Sequence, residues 1–258
     1  MGGCTMRAAL AMIGLMTLCS CQSMLDFETP EQKNQKVEVY TQLGLGYMNQ
    51  DRLASSLEAL EDALRVDPLS SPANYAMALL KIRLGESKDA RYHFDRALLT
   101  DSRNVPARND FGTFLCENGD LKEGIQQFEL AIADPFNMQV YVSQYGLGRC
   151  LLAAGDPREA RDYFRIALTG QPKNRVILYQ SAVASFELRE FLSARAFLER
   201  LFATGWESPE GLLLAVQTET ELGADNLALD YATRLKSNFP SSDESKRLMT
   251  LIGEVSNG

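Results

Sequence analysis

Apolar and small residues recur along most of this chain in two interleaved spacings. Within windows of about a dozen residues they fall three and four apart, the mark of a helix face turned to a core. The whole arrangement then returns after roughly 34 residues, the length of a helix–turn–helix unit. The first unit carries Tyr40, Leu43, Gly44 and Tyr47, then Ser56, Leu60, Ala63 and Pro68. Its counterparts are Ala78, Ala90, Phe94 and Ala97, then Phe111, Gly112, Leu115, Gly124, Phe128 and Ala131. After a short insertion around Phe136 to Gln139 come Leu147, Gly148, Leu151, Ala160, Phe164, Ala167 and Pro172. Two degenerate units stay in phase through Ala182, Ala194 and Leu198, and through Ala228, Ala232 and Pro240. Between paired helices stand Asn49-Gln50-Asp51, Gly85-Glu86-Ser87, Asn118-Gly119-Asp120 and Gly155-Asp156-Pro157, which are turn chemistry rather than phosphate loops. Gly44, Ala78, Gly112, Gly148 and Ala182 mark where first and second helices meet, and Phe94, Phe128 and Phe164 fill the space between hairpins.

An aromatic, Leu-Gly and Tyr in the first helix, Ala, a large apolar residue and Ala in the second, and a closing Pro resemble the tetratricopeptide repeat. The resemblance implies an all-α, right-handed superhelix of about six hairpins, because no hairpin buries its apolar face alone. The copies span 37–70, 71–104, 105–138, 141–174, 175–208 and 209–242, and 243–258 reads as a capping helix and tail. In such repeats the first helices line a concave groove. The candidate protein-binding residues are therefore Leu45, Met48, Tyr75, Leu79, Ile82, Asn109, Tyr145 and Tyr179. Chaperone-binding repeats hold a carboxylate with Lys and Asn, but here the first repeat offers Thr41 and Leu45. An apolar helical or extended protein segment is the expected ligand.

The N-terminus reads as an address. Arg7 precedes the apolar run Ala8 to Leu18, right for a signal peptide over residues 1–20 and too short to span a bilayer. Leu18-Cys19-Ser20-Cys21 resembles a bacterial lipobox with Cys21 as the lipidated residue, although Cys19 replaces the usual small residue, and Met6 is an alternative start to Met1. Gln22, where an Asp would retain a lipoprotein in the inner membrane, implies the periplasmic face of the outer membrane. Residues 21–36 read as a polar, lipidated tether.

The charge balance, 34 acidic against 26 basic residues with a net charge of -8, argues against a nucleic-acid partner. His93 is the one histidine and belongs at a half-exposed helix position, which leaves no nucleophile–histidine constellation and no zinc-protease motif. The expectation is no catalysis, no cofactor, no metal and no small-molecule substrate. Glu58, Glu61 and Asp62 read as solvated surface. Cys116 and Cys150 read as separate thiols in core or groove, with a bridge the lesser alternative because neighbouring first helices are expected to lie too far apart.

The sharpest local string is Asn109-Asp110-Phe111-Gly112-Thr113-Phe114-Leu115-Cys116, followed by Ala133-Asp134-Pro135. With the lipobox and six repeats it resembles the type IV pilus biogenesis and stability lipoproteins of the PilF/PilW type. That resemblance implies a pilotin, an outer-membrane lipoprotein that binds pilus secretin subunits and promotes their insertion and multimerisation. Contacts are expected in the groove of the first repeats, at Leu45, Met48, Tyr75, Leu79 and Ile82, nearest the tether. A scaffold subunit of outer-membrane β-barrel assembly and a peptidoglycan-enzyme adaptor stay open as alternatives.

Overall fold

The computed structural model describes residues 28–248. The signal peptide, Cys21 and the first part of the expected tether, residues 21–27, lie outside the described residues, as does the tail after Leu248. Twelve helices form six hairpins: α1 (Pro30–Asn49) with α2 (Leu53–Val66), α3 (Ser71–Arg83) with α4 (Ser87–Thr100), and α5 (Val105–Glu117) with α6 (Leu121–Ala133). They continue as α7 (Val140–Ala153) with α8 (Pro157–Gly170), α9 (Arg175–Glu187) with α10 (Phe191–Phe202), and α11 (Pro209–Glu221) with α12 (Asp225–Asn238). A further helical segment occupies 243–248, and no strand occurs among the described residues.

Local chemistry sets the helix ends. Ser70, Asn104, Asn174 and Ser208 each accept a hydrogen bond from a first-turn N–H of the helix that follows, which satisfies a donor that the helix itself leaves free. Each hairpin turns through a residue in the left-handed region: Asp51, Gly85, Gly119, Gly155, Arg189 and Gly223. These fall 34 residues apart except between Gly119 and Gly155, which are 36 apart. The insertion therefore adds two residues between the third and fourth hairpins and keeps the phase elsewhere.

The tether is shorter than its composition suggests. Residues 30–36 belong to α1, so the expected boundary at Val37 is corrected to Pro30. Thr29 and Gln32 form a reciprocal capping box and Pro30 is preset for the first turn, a strong start signal inside a polar stretch.

Close approach of the helices follows from small residues. A Cβ on Gly148 would stand 2.4 Å from Phe164 Cε1 in its own hairpin, and one on Gly146 would stand 2.2 Å from Phe128 Cε1 of the preceding hairpin. Phe94, Phe128 and Phe164 are almost wholly buried. Phe94 stacks on Phe111 of the next hairpin with ring centroids 5.0 Å apart.

Successive hairpins are also cross-linked by a recurring arginine on the second helix. Arg91 reaches Asp120 and Glu123 at 3.1 and 2.5 Å, Arg161 reaches Glu190 at 2.6 Å, and Arg195 pairs with the buried Glu219. At the corresponding place in the third hairpin stands Ile125, and that junction carries a covalent link instead: Cys116 and Cys150 form a disulfide with Cα atoms 5.6 Å apart. The expectation of separate thiols is corrected. Gly124 leaves room for the Cys116 sulfur, which would stand 2.3 Å from a Cβ there, while Gly146 lets α7 close on α6. The separation falls within disulfide range.

The stack ends as expected. Leu248 is buried with Leu212, Leu213, Val216, Ala232 and Leu235, and the Ser245 hydroxyl donates to the Phe239 carbonyl at 2.8 Å, so the last segment covers the apolar face of the sixth hairpin.

Candidate functional site

The first helices of neighbouring hairpins lie side by side at α1·α3, α5·α7, α7·α9 and α9·α11, whereas the second helices do not pair in this way. The first helices therefore form the inner, concave face. One step of this face differs. Between α3 and α5 the backbones approach least closely, and Phe94, Phe111 and Phe114 form an aromatic cluster beside this step.

At this step a cavity of about 450 Å³ opens, lined by Tyr75 from α3, by Val105, Pro106, Asn109 and Asp110 from α5, and by Val142 from α7. Arg103 and the inserted loop, with Phe136, Asn137, Met138 and Gln139, complete its wall. The loop is held from below: Asn137 donates to the Ala131 carbonyl at 2.8 Å and to the Ser143 hydroxyl at 2.9 Å. With its polar residue spent inward, the loop turns Phe136 and Met138 outward, 69% and 93% exposed. Arg103 covers the Phe136 ring at 4.0 Å and lies 3.9 Å from Asp134.

The polar floor is only partly satisfied. The Tyr75 hydroxyl donates to Asp110 Oδ2 at 2.5 Å, bridging α3 and α5. Asn109 Oδ1 is enclosed and has no hydrogen-bond partner. Burial raises the Asp110 pKa above its usual value, opposed by the Tyr75 hydrogen bond, and burial first and the Asp110 contact second push the Tyr75 phenol upward.

The sequence-selected residues separate into distinct environments. Tyr75 and Asn109 meet at this cavity. Met48 is 6% exposed and packs with Leu60, Ala76, Met77 and Leu80, so its assignment to the groove surface is corrected to core. Leu45 and Leu79 are half-buried against the same cluster, and Ile82 keeps an exposed edge. Tyr145 and Tyr179 are half-buried further along the face, their rings set against the large central core. His93 is half-buried as expected, near Asn74 Oδ1 at 3.0 Å, and burial lowers its pKa. The reading of the residues missed Asp110, Arg103, Phe136 and Met138. Two large apolar residues within an inserted turn were the available signal.

The raised Asp110 pKa fixes a sign. Folding tightens proton binding, so this group's contribution is fully present below its ordinary value of 3.8 and is lost as pH rises through the raised folded value. The stability of the parent relative to Asp110→Asn is therefore expected to fall as pH rises above about 4 in urea unfolding. A pH-independent difference would contradict this assignment.

Among the described residues no group of three or more His, Cys, Asp or Glu is placed to hold a metal, and no helix is long and apolar enough to cross a membrane. The type IV pilus assembly protein PilF of Pseudomonas aeruginosa is 28% identical over 246 residues, 93% of this chain and 96% of PilF. A solved structure of Pseudomonas aeruginosa PilF superposes with a TM-score of 0.75 at 27% identity, covering 84% of this chain and 98% of that one. The crystal structure of PilW, described as a widely conserved type IV pilus biogenesis factor, superposes with a TM-score of 0.79 at 25% identity over 84% of this chain and 99% of its own. The tetratricopeptide-repeat profile matches residues 41–108 and 145–209. With that profile spanning more than half of the sequence and six stacked hairpins in the structure, the chain belongs to the tetratricopeptide-repeat family and is similar along most of its length to PilF and PilW.

Proposed function

We propose that this protein is a non-catalytic pilotin for type IV pilus biogenesis. It is anchored through Cys21 in the outer membrane and binds pilus secretin subunits through its inner face. The observation that carries the reading is the extent of the likeness to PilF, 93% of this chain against 96% of PilF, which exceeds what a shared repeat motif requires. The Cys116–Cys150 bridge supports an exported protein, because structural disulfides persist in oxidising compartments. The mechanism is local concentration: an anchor holds the groove at the target membrane, and each captured subunit meets others there as if tethered. Multiple acyl chains at Cys21 would make that anchoring stable.

Secretin oligomers in outer membranes of cells lacking the protein, followed by unheated gel electrophoresis and immunoblotting, test the proposal. The expected result is loss of multimers with monomer retained in the wrong membrane. Normal multimers in the outer membrane overturn it. A general loss of β-barrel proteins would favour the barrel-assembly alternative.

A further inference from the structure

The cavity beside the inserted loop combines features that select one ligand chemistry. Its floor presents acceptors. Asp110 Oδ2 takes the Tyr75 hydroxyl hydrogen, which also occupies the nearby phenolic donor, while the unpartnered Asn109 Oδ1 is enclosed beneath the surface. A carboxylate has lone pairs for about four hydrogen bonds, and no lysine or arginine among the described residues forms an ion pair with Asp110. Arg103, the cation on the wall, is engaged at the rim by the Phe136 ring and Asp134. A ligand entering this floor must bring its own donors, and a positive charge is favoured over a negative one.

The walls are apolar. Val105, Pro106 and Val142 line the sides, and exposed Phe136 and Met138 form a lip. A methionine adapts its shape to an apolar group, and the methylene stem of a lysine or arginine lies against such surface while its charged end reaches a polar floor. The wall exists because of the insertion, the one departure from the 34-residue spacing of the hairpin turns. The other steps of the face are built without this loop.

We propose that this cavity receives a lysine or arginine, adjacent to a large apolar side chain, in an extended segment of a partner protein. The basic group pairs with Asp110, and the apolar neighbour packs on Phe136 and Met138. The proposal rests on the reading of the inner face as a protein-binding surface, and it specifies the chemistry of the bound segment.

The test is a titration of the purified protein with three blocked tetrapeptides, acetyl-Gly-Leu-Lys-Gly-amide, acetyl-Gly-Leu-Glu-Gly-amide and acetyl-Gly-Gly-Lys-Gly-amide, followed by NMR. The Leu-Lys peptide is expected to shift the Met138 methyl and Asn109 side-chain amide signals. Its affinity should fall roughly tenfold on Asp110→Asn and weaken from about 0.05 to about 0.5 M salt as the charges are screened. The Leu-Glu peptide should leave those signals unmoved, and Met138→Ser, at a solvent-exposed position, should weaken the Leu-Lys peptide without lowering the melting temperature. Equal response to Lys and Glu peptides, response located elsewhere, no response to any peptide, or indifference to both substitutions overturns the assignment. Failure here with secretin multimers still lost on deletion removes only the cavity's role. Peptide binding with normal multimers in the deletion strain removes the pilus reading and leaves the cavity's chemistry standing.

Discussion

Replacing Cys116 and Cys150 together by serine is expected to destabilise the protein by about 4 kcal/mol, the loop-entropy value for a link closing a loop of about 34 residues. Elsewhere in the second half of the stack a half-buried arginine spans the junction, as Arg161 does to Glu190 and Arg195 to Glu219, but the equivalent place in the third hairpin is Ile125. Hairpin stacks are held by nearest-neighbour interfaces, so weakening one interface allows the two sides to unfold separately. The urea profile of the double variant, and of the parent in a reductant, should move to lower midpoint and broaden or divide into two transitions. An unchanged, single transition with the thiols shown free by mass spectrometry would refute this account of the bridge.

Phe128→Ala is expected to cost about 3–5 kcal/mol, the range for truncating a buried aromatic residue. Phe128 is 2% exposed and lies between two glycines, and a Cβ on Gly112 or Gly146 would stand 2.9 or 2.2 Å from its ring. Both surrounding helices are therefore shaped to the ring, and neither glycine has a side chain to fill the space left behind. Leu130→Ala on the same helix, where Leu130 is 46% exposed, should cost well under about 1 kcal/mol. Thermal unfolding of the two variants side by side provides the measurement. Similar losses for both would mean that the third and fourth hairpins are not packed around this ring. Loss of secretin multimers in cells carrying Phe128→Ala at normal protein level would connect the same junction to function.

The outcome at the site divides according to how each residue acquires its surroundings. Helix periodicity places Tyr75, Asn109, Tyr145 and Tyr179 on the inner face, and the structure puts Tyr75 and Asn109 at a cavity. The same periodicity places Met48 there, yet α3 packs over it through Ala76, Met77 and Leu80. A residue at the edge of a helical stripe becomes groove or core according to how closely the next hairpin approaches. That distance depends on side chains roughly one repeat away.

By itself the sequence determined the repeat, its count, its helix-and-turn alternation and the small-against-large pairing of first and second helices. These properties are local or return at a constant interval, so each copy checks the others. It also held a readable start signal at Thr29-Pro30, which polar composition masked. Only the tertiary structure decided the Cys116–Cys150 bridge, the separation of α3 from α5, and the cavity with its unpartnered Asn109 oxygen. The bridge depends on Gly124 and Gly146, which let α5, α6 and α7 close on one another, and the cavity lies beside the two-residue insertion. There the spacing between helices is a sum of packing and backbone constraints from several segments, and no single stretch of sequence carries that sum.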